Sequence, residues 1–271
     1  MMKPVEILKD LQKFPDKKFG QNFLVDEKAL TDIVAAAKLE SEETVVEIGP
    51  GLGVLTFALL EKVKRVIAVE ADRELADYLR EKHIPKLTVV TGDALRVDWT
   101  LEISAGYKIV ANIPYSITSP LLQKIYHLAK KPKTVILLVQ KELAERLTAK
   151  PGDRDRGFMT VLSEANADIK IIRKVAPGSF RPMPKVESAV IEVTPFKESK
   201  LESVFWPVVE AGFRHARQTL MNGLKDLPVS RTEIQAIFTE LKLNPLARPA
   251  DLSFRQWQQL SQEVGKNIQK S

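Results

Sequence analysis

The tetrapeptide Asn112-Ile113-Pro114-Tyr115 holds the residue types that activate a poor amine nucleophile. An exocyclic amine such as N6 of adenine has its lone pair delocalised into the ring. Two acceptors, the Asn112 side-chain oxygen and the Ile113 backbone carbonyl, can bind its two N–H groups and favour a pyramidal nitrogen. That frees the lone pair for in-line attack on a sulfonium methyl. Pro114 stiffens the turn that aims the acceptors, and Tyr115 offers a ring for the base to stack on, worth about 1 to 3 kcal/mol. A base taken this way has to leave its helix or loop. The chemistry needs neither a metal nor a strong base, because the proton becomes acidic once the methyl is attached. The plainer alternative is a strand end followed by a proline turn, with Tyr115 as core packing.

A methyl donor needs a site of its own, and Glu47-Ile48-Gly49-Pro50-Gly51-Leu52-Gly53 offers one. Glycines between a strand and a helix let backbone approach a ligand closely. The spacing is G-x-G-x-G rather than the dinucleotide fingerprint, whose third glycine stands three residues after the second. Glu70 closes the next strand pattern, where a carboxylate can accept both ribose hydroxyls of a nucleoside. Asp93, in Thr91-Gly92-Asp93-Ala94, closes the third, where it can accept from the amino group of the donor's own adenine. Either could instead cap the following helix. Side by side with Gly49 and Gly51, they favour a nucleoside site and disfavour a phosphate-rich cofactor.

These residues need a scaffold that brings strand ends together. Apolar, β-branched runs at 44–48, 66–69, 87–90, 109–111 and 134–139 read as buried strands, and helical patterns at 30–38, 54–62, 74–81, 120–130 and 141–150 alternate with them. That alternation predicts an α/β fold, a parallel sheet flanked by helices. Runs at 169–175 and 189–193 could extend the sheet. Past Pro195 the pattern turns helical at 204–224, 231–241 and 254–264, so a small all-helical domain is expected over 197–271 after a cofactor-binding catalytic domain over 1–196. The polar tail, 265–271, is expected to fray.

Composition narrows the classes. The chain has no cysteine, which excludes disulfides, thiolate zinc sites, iron–sulfur clusters and a cysteine nucleophile. His83, His127 and His215 are scattered without ligand spacing, so no metal site is expected. The start of the chain lacks the apolar core of a secretory signal, and no run approaches the roughly 18 apolar residues that span a bilayer. A cytoplasmic protein with no membrane partner is expected, most simply a monomer. The formal charge of +6 favours an anionic partner only weakly, but residues 124–185 carry 14 Lys or Arg against 6 Asp or Glu, while residues 1–122 carry 16 against 19. A polyanion would sit on the middle of the chain, unless those cations merely form a solvated surface.

Taken together, the residues resemble the KsgA-type ribosomal RNA adenine N6,N6-dimethyltransferases, which share a catalytic domain with the Erm-type resistance methylases. The likeness rests on Lys18-Phe19-Gly20-Gln21-Asn22-Phe23-Leu24, on 47–56, Glu70, Gly92-Asp93-Ala94 and 112–115. It continues through Thr118-Ser119-Pro120-Leu121-Leu122, Ser179-Phe180-Arg181-Pro182 and Pro184-Lys185-Val186 with Ser188. It implies a Rossmann-like class I methyltransferase domain followed by a small helical domain. It also implies that Asn22, Leu24, Gly49, Glu70, Asp93 and Asn112 line an S-adenosylmethionine site, the product being S-adenosylhomocysteine. Phe180 would stack opposite Tyr115 on the target adenine, although on the sequence alone Phe180 reads as core. The implied substrate is a pair of adjacent adenines near the 3′ end of small-subunit rRNA, in free rRNA or a pre-30S particle, each methylated twice during ribosome assembly.

One segment departs from the family pattern: Phe213-Arg214-His215-Ala216-Arg217-Gln218-Thr219-Leu220 has a thinner basic run than the resemblance leads one to expect. Two rival functions remain. A large-subunit rRNA methylase of the Erm type would share every cofactor and catalytic residue named, although the 118–122 segment and the Pro184-Lys185-Val186 loop resemble the small-subunit family more, and a non-catalytic RNA-binding assembly factor would have no need of Asn112 and Tyr115. A zinc base deaminase is excluded, because its H-x-E and P-C-x-x-C ligands are absent.

Overall fold

The computed structural model describes residues 16, 20–101, 103, 106–197 and 201–268. Lys18 and Phe19 of the N-terminal motif, and the last three residues of the tail, lie outside them. The described residues divide into two compact units, one within 1–144 and 167–195, the other within 145–166 and 196–271.

In the first unit, β1 (Phe23–Leu24) leads into α1 (Glu27–Ala36), which begins where the Asp26 carboxylate accepts the backbone N–H groups of Lys28 and Ala29. Strand and helix then alternate as β2 (Thr44–Ile48), α2 (Val54–Leu60), β3 (Arg65–Glu70), α3 (Arg73–Arg80), β4 (Leu87–Thr91), β5 (Lys108–Asn112), α4 (Thr118–His127) and β6 (Thr134–Gln140). Two further helices, α5 (Lys141–Leu147) and α6 (Phe158–Asn166), precede β7 (Ala167–Val175), the short β8 (Phe180–Arg181) and β9 (Ser188–Pro195).

Seven strands form one sheet in the order β4-β3-β2-β5-β6-β9-β7. The first five run parallel, as their near-continuous Val and Ile content requires when both faces are covered. The two later runs do extend the sheet, and they do so antiparallel, β9 against β6 and β7 against β9. Chain order runs outward from β2 to β4 on one side and resumes at β5 on the other, so the winding reverses between β2 and β5. That is the switch point where open α/β sheets bind ligands beyond the strands' carboxyl ends. The core between α1, α2 and the sheet is closed by Ile33, Val45, Leu59, Val110, Leu138 and Val190, all fully buried. Each such side chain contributes about 1.5 to 3 kcal/mol on burial. The two-residue strands β1 and β8 pair separately, Phe23 with Arg181 and Leu24 with Phe180.

The second unit consists of helices joined by turns, with no strand among its described residues. It contains α6, α7 (Phe205–Arg214), α8 (Leu220–Gly223), α9 (Arg231–Glu240) and α10 (Phe254–Ile268), packed around Phe205, Val208, Leu220, Ile237, Phe238 and Trp257. Its hub is Arg156, 4% exposed. The guanidinium forms a fork on the Glu164 carboxylate at 2.7 and 2.7 Å and also donates to the carbonyls of Leu252 and Ala149.

Three expectations need correcting. Residues 145–166 pack with the second unit instead of the catalytic one, because α6, apolar on most sides, contributes Val161 to the helical core. The single helix read over 204–224 is broken: α7 stops at Arg214 and His215 leaves helical geometry (φ −124°, ψ 59°), so the thin basic run is a turn between α7 and α8. The tail does not fray at 265, since α10 continues to Ile268.

Candidate active site

The carboxyl ends of β2, β3 and β5 and the loops beyond them enclose a cleft of about 420 Å³. It is lined by 20–24, by 47–52, by Glu70, by 92–94 and by 112–117, so segments far apart in sequence meet there.

The glycine loop follows from backbone geometry. Gly49 and Gly51 have φ of +68° and +57°, a region L side chains avoid. A Cβ on Gly51 would lie 3.0 Å from the Phe23 ring. The turn aims the Gly51 N–H at Glu70, whose Oε2 accepts it at 2.9 Å, while Oε1 accepts the Asp72 N–H at 2.9 Å. Two backbone donors thus fix the Glu70 carboxyl, and each oxygen keeps a lone pair for a further donor. Burial raises the Glu70 pKa, partly offset by the Asp72 and Gly51 hydrogen bonds. Asp72 in turn caps α3 and accepts from Gln21 Nε2 at 3.0 Å.

Asn112 closes β5 on the cleft wall. Its Nδ2 donates to the Asn22 carbonyl at 3.2 Å, which orients the amide so that Oδ1 is the atom left to accept. Asn22 is held by its own Nδ2, donating to the Gly20 carbonyl at 3.1 Å. Ile113 and Pro114 continue the wall, and the Pro114 carbonyl accepts the Ile117 N–H at 3.1 Å. The Tyr115 hydroxyl meets Ser188 Oγ at 2.6 Å, and burial raises the Tyr115 pKa.

The cleft gathers all but one of the site residues read from the sequence: Asn22, Leu24, Gly49, Gly51, Glu70, Asp93, Asn112, Ile113, Pro114 and Tyr115. Asp93 does both things considered for it. It lines the cleft, and its Oδ1 caps the following turn by accepting the Leu95 N–H at 2.9 Å. Phe180 is the exception: it is fully buried and packs in the core with Leu24 and Val190 instead of facing the cleft.

Four residues were given no individual role from the sequence. Gln21 ties Asp72 to the N-terminal segment through the Asp16 N–H, 2.8 Å from its Oε1. Asp72 and Ser188 hold Glu70 and Tyr115 from behind. Glu47 lines the cleft at 1% exposure, and its Oε2 has no hydrogen-bond partner among the described residues. Burial pushes its pKa up to about 8, the nearby Thr56 hydroxyl opposing the shift and Glu70 adding to it. The available signal was a carboxylate inside the otherwise apolar run 44–48.

This donor set fits S-adenosylmethionine. A fixed carboxylate suits ribose hydroxyls, glycine backbone admits close approach, and an orphaned buried carboxyl suits a ligand that brings cationic groups. A sheet wound this way, with a nucleoside cleft at its switch point, defines a class I, Rossmann-like methyltransferase. Comparison narrows the class. The pattern of the ribosomal RNA adenine dimethylases matches residues 14–266. Proteins named ribosomal RNA small subunit methyltransferase A are 38% identical, in Clostridium botulinum over 91% of this chain and 92% of the relative, and in Syntrophotalea carbinolica over 92% and 97%. Among solved structures, a dimethyladenosine transferase from Plasmodium falciparum superposes with a TM-score of 0.78 at 26% identity, covering 91% of this chain and 98% of that one. The 23S rRNA methyltransferase ErmE superposes at 0.71 and 28%, covering 90% and 100%. The chain belongs to the ribosomal RNA adenine dimethylase family, S-adenosylmethionine-dependent enzymes that methylate adenine in rRNA.

Proposed function

We propose that this enzyme dimethylates N6 of two adjacent adenines near the 3′ end of small-subunit rRNA, acting on a pre-30S particle during ribosome assembly. The observation that carries the chemistry is the oriented Asn112 amide in the cleft wall. The small-subunit assignment is supported by relatives of that name at 35–38% identity over nine-tenths of the chain.

In this reading Glu70 holds the donor's ribose, Asp93 meets its adenine, and Asn22, Leu24, Gly49 and Gly51 shape the walls. S-adenosylmethionine supplies an electrophilic methyl on a sulfonium. Asn112 Oδ1 and the Ile113 carbonyl accept the two N–H groups of the target amine and so favour the pyramidal nitrogen of the transition state over the planar ground state. Pro114 fixes the corner, and Tyr115, anchored on Ser188, stacks on the flipped base. After transfer the extra proton leaves to solvent without a dedicated base. The unit within 1–144 and 167–195 carries catalysis, and the helical unit contacts rRNA. The enzyme works as a cytoplasmic monomer.

The basic stretch 124–185 contributes less to RNA binding than its charge suggests. Arg156 is buried on Glu164, and Lys124 points inward, donating to the Ala94 and Val97 carbonyls at 2.9 and 2.6 Å. The Erm-type reading is favoured by one observation, the ErmE superposition. Labelled methyl transfer to undermethylated small subunits, with large subunits and their naked rRNA in parallel, separates the readings. Label on large-subunit rRNA supports the Erm type, and cofactor binding with no label on either supports an assembly factor.

A further inference from the structure

We propose that the loop 182–187 is a preformed platform for single-stranded RNA, on which Met183 and Val186 stack against the nucleotides flanking the target adenine. The inference rests on the proposed function and extends it to a subsite.

Both ends of the loop are fastened to the cleft. Before it, Phe180 and Arg181 pair with Leu24 and Phe23, two residues of the cleft wall. After it, Ser188 holds the Tyr115 hydroxyl at 2.6 Å. The middle is fastened too: Pro184 is buried between exposed neighbours, so the chain is pinned at 180, 184 and 188. Two prolines fix φ within the loop, and the Lys141 N–H donates to the Glu187 carbonyl at 3.0 Å.

A segment held this firmly could turn its apolar side chains inward, yet Met183 is 65% exposed and Val186 43%. They are two of only five large hydrophobic residues exposed among the described residues, and they stand three apart on one loop. Folding gains nothing from that placement, whereas an unstacked base offers an apolar face to cover. The charge around them suits RNA. Arg181 and Lys185 are exposed, and the one carboxylate of the loop, Glu187, is paired with Lys141 Nζ at 2.5 Å. A cleft that takes one base out of its strand leaves the neighbouring bases at its rim, where this loop lies.

The test uses the full-length enzyme, S-adenosylmethionine and undermethylated small ribosomal subunits. The double variant Met183→Glu, Val186→Glu is expected to raise KM for the subunits about tenfold or more, with cofactor affinity and thermal midpoint unchanged. Met183→Phe, which enlarges the stacking face, is expected to hold KM at or below the parental value. Ile172→Glu on β7, an exposed apolar residue ten positions before the loop and outside it, serves as control and is expected to leave KM unchanged. An active parent whose double variant keeps the parental KM overturns the platform alone, as does an equal rise from Ile172→Glu. A parent that methylates no small-subunit adenine overturns the functional reading and the platform with it.

Discussion

The side-chain amide of Asn112 donates to the backbone carbonyl of Asn22, 90 residues away in sequence. That bond settles which end of the amide faces the cleft. Because the acceptor is a backbone oxygen, no substitution at Asn22 removes it directly, and the orientation depends on the path of the segment 20–24. Asn112→Ala is expected to leave S-adenosylmethionine affinity within about tenfold while lowering kcat about a hundredfold or more, the scale of losing one transition-state contact. Isothermal titration and single-turnover rates check the two halves separately. Undiminished turnover would remove Asn112 from the chemistry.

Gly51→Ala adds a methyl at φ +57° and 3.0 Å from the Phe23 ring, and it disturbs the N–H that fixes Glu70. Cofactor affinity is expected to fall about tenfold or more, for a backbone strain of about 1 to 3 kcal/mol. Titration with S-adenosylhomocysteine measures it. Parental affinity would mean that the loop conformation does not shape the ribose site.

Glu47 makes stability depend on pH in the direction opposite to most carboxylates. Its folded pKa of about 8 lies above the ordinary 4.5, so the folded protein keeps a proton that the unfolded chain gives up. Its contribution is therefore full below pH 4.5 and is lost as pH rises through about 8. Glu70, also raised, contributes in the same sense. Glu47→Gln, which stays neutral, is expected to gain stability relative to the parent as pH climbs from 5 to 8, read as the difference in urea midpoints. A constant difference across that range would place the Glu47 carboxyl at an ordinary pKa.

Phe180 is fully buried, so Phe180→Ala is expected to cost about 3 to 5 kcal/mol of stability and Phe180→Leu under about 1.5 kcal/mol. Chemical denaturation decides between core and substrate roles. An alanine variant that unfolds with the parent but fails in turnover would assign the ring to the target base.

Arg156→Lys removes the planar fork on Glu164 and the contacts to Leu252 and Ala149. The expected loss is about 1 to 3 kcal/mol, because the half-buried Glu164 carboxylate and two carbonyls lose donors. Limited proteolysis is expected to cleave first within the helical unit. Parental resistance would show that the hub adds little.

Much of the fold was legible because parallel strands are buried on both faces: runs such as 134–139 have only a strand to be. What lay hidden were elements whose stability is tertiary. Strands β1 and β8, two residues each, carry no periodicity, and α6 has apolar and β-branched residues around most of its surface, so no stripe marks it as a helix. The break at His215 interrupts a pattern that is helical on both sides. In the cleft, Glu70 and Asn112 stood out because polar residues closing apolar strands have few other uses. Glu47 looked like part of its strand, and the burial of Phe180 depends on the core it shares with Leu24 and Val190, which no local pattern records.

The most direct measurement of the central claim is the transfer of labelled methyl from S-adenosylmethionine to undermethylated small subunits, followed by mapping of the modified bases. Dimethylated N6 on two adjacent adenines near the 3′ end of the small-subunit rRNA, abolished by Asn112→Ala, is the expected result. Label confined to large-subunit rRNA, or no label from an enzyme that binds the cofactor, would contradict it.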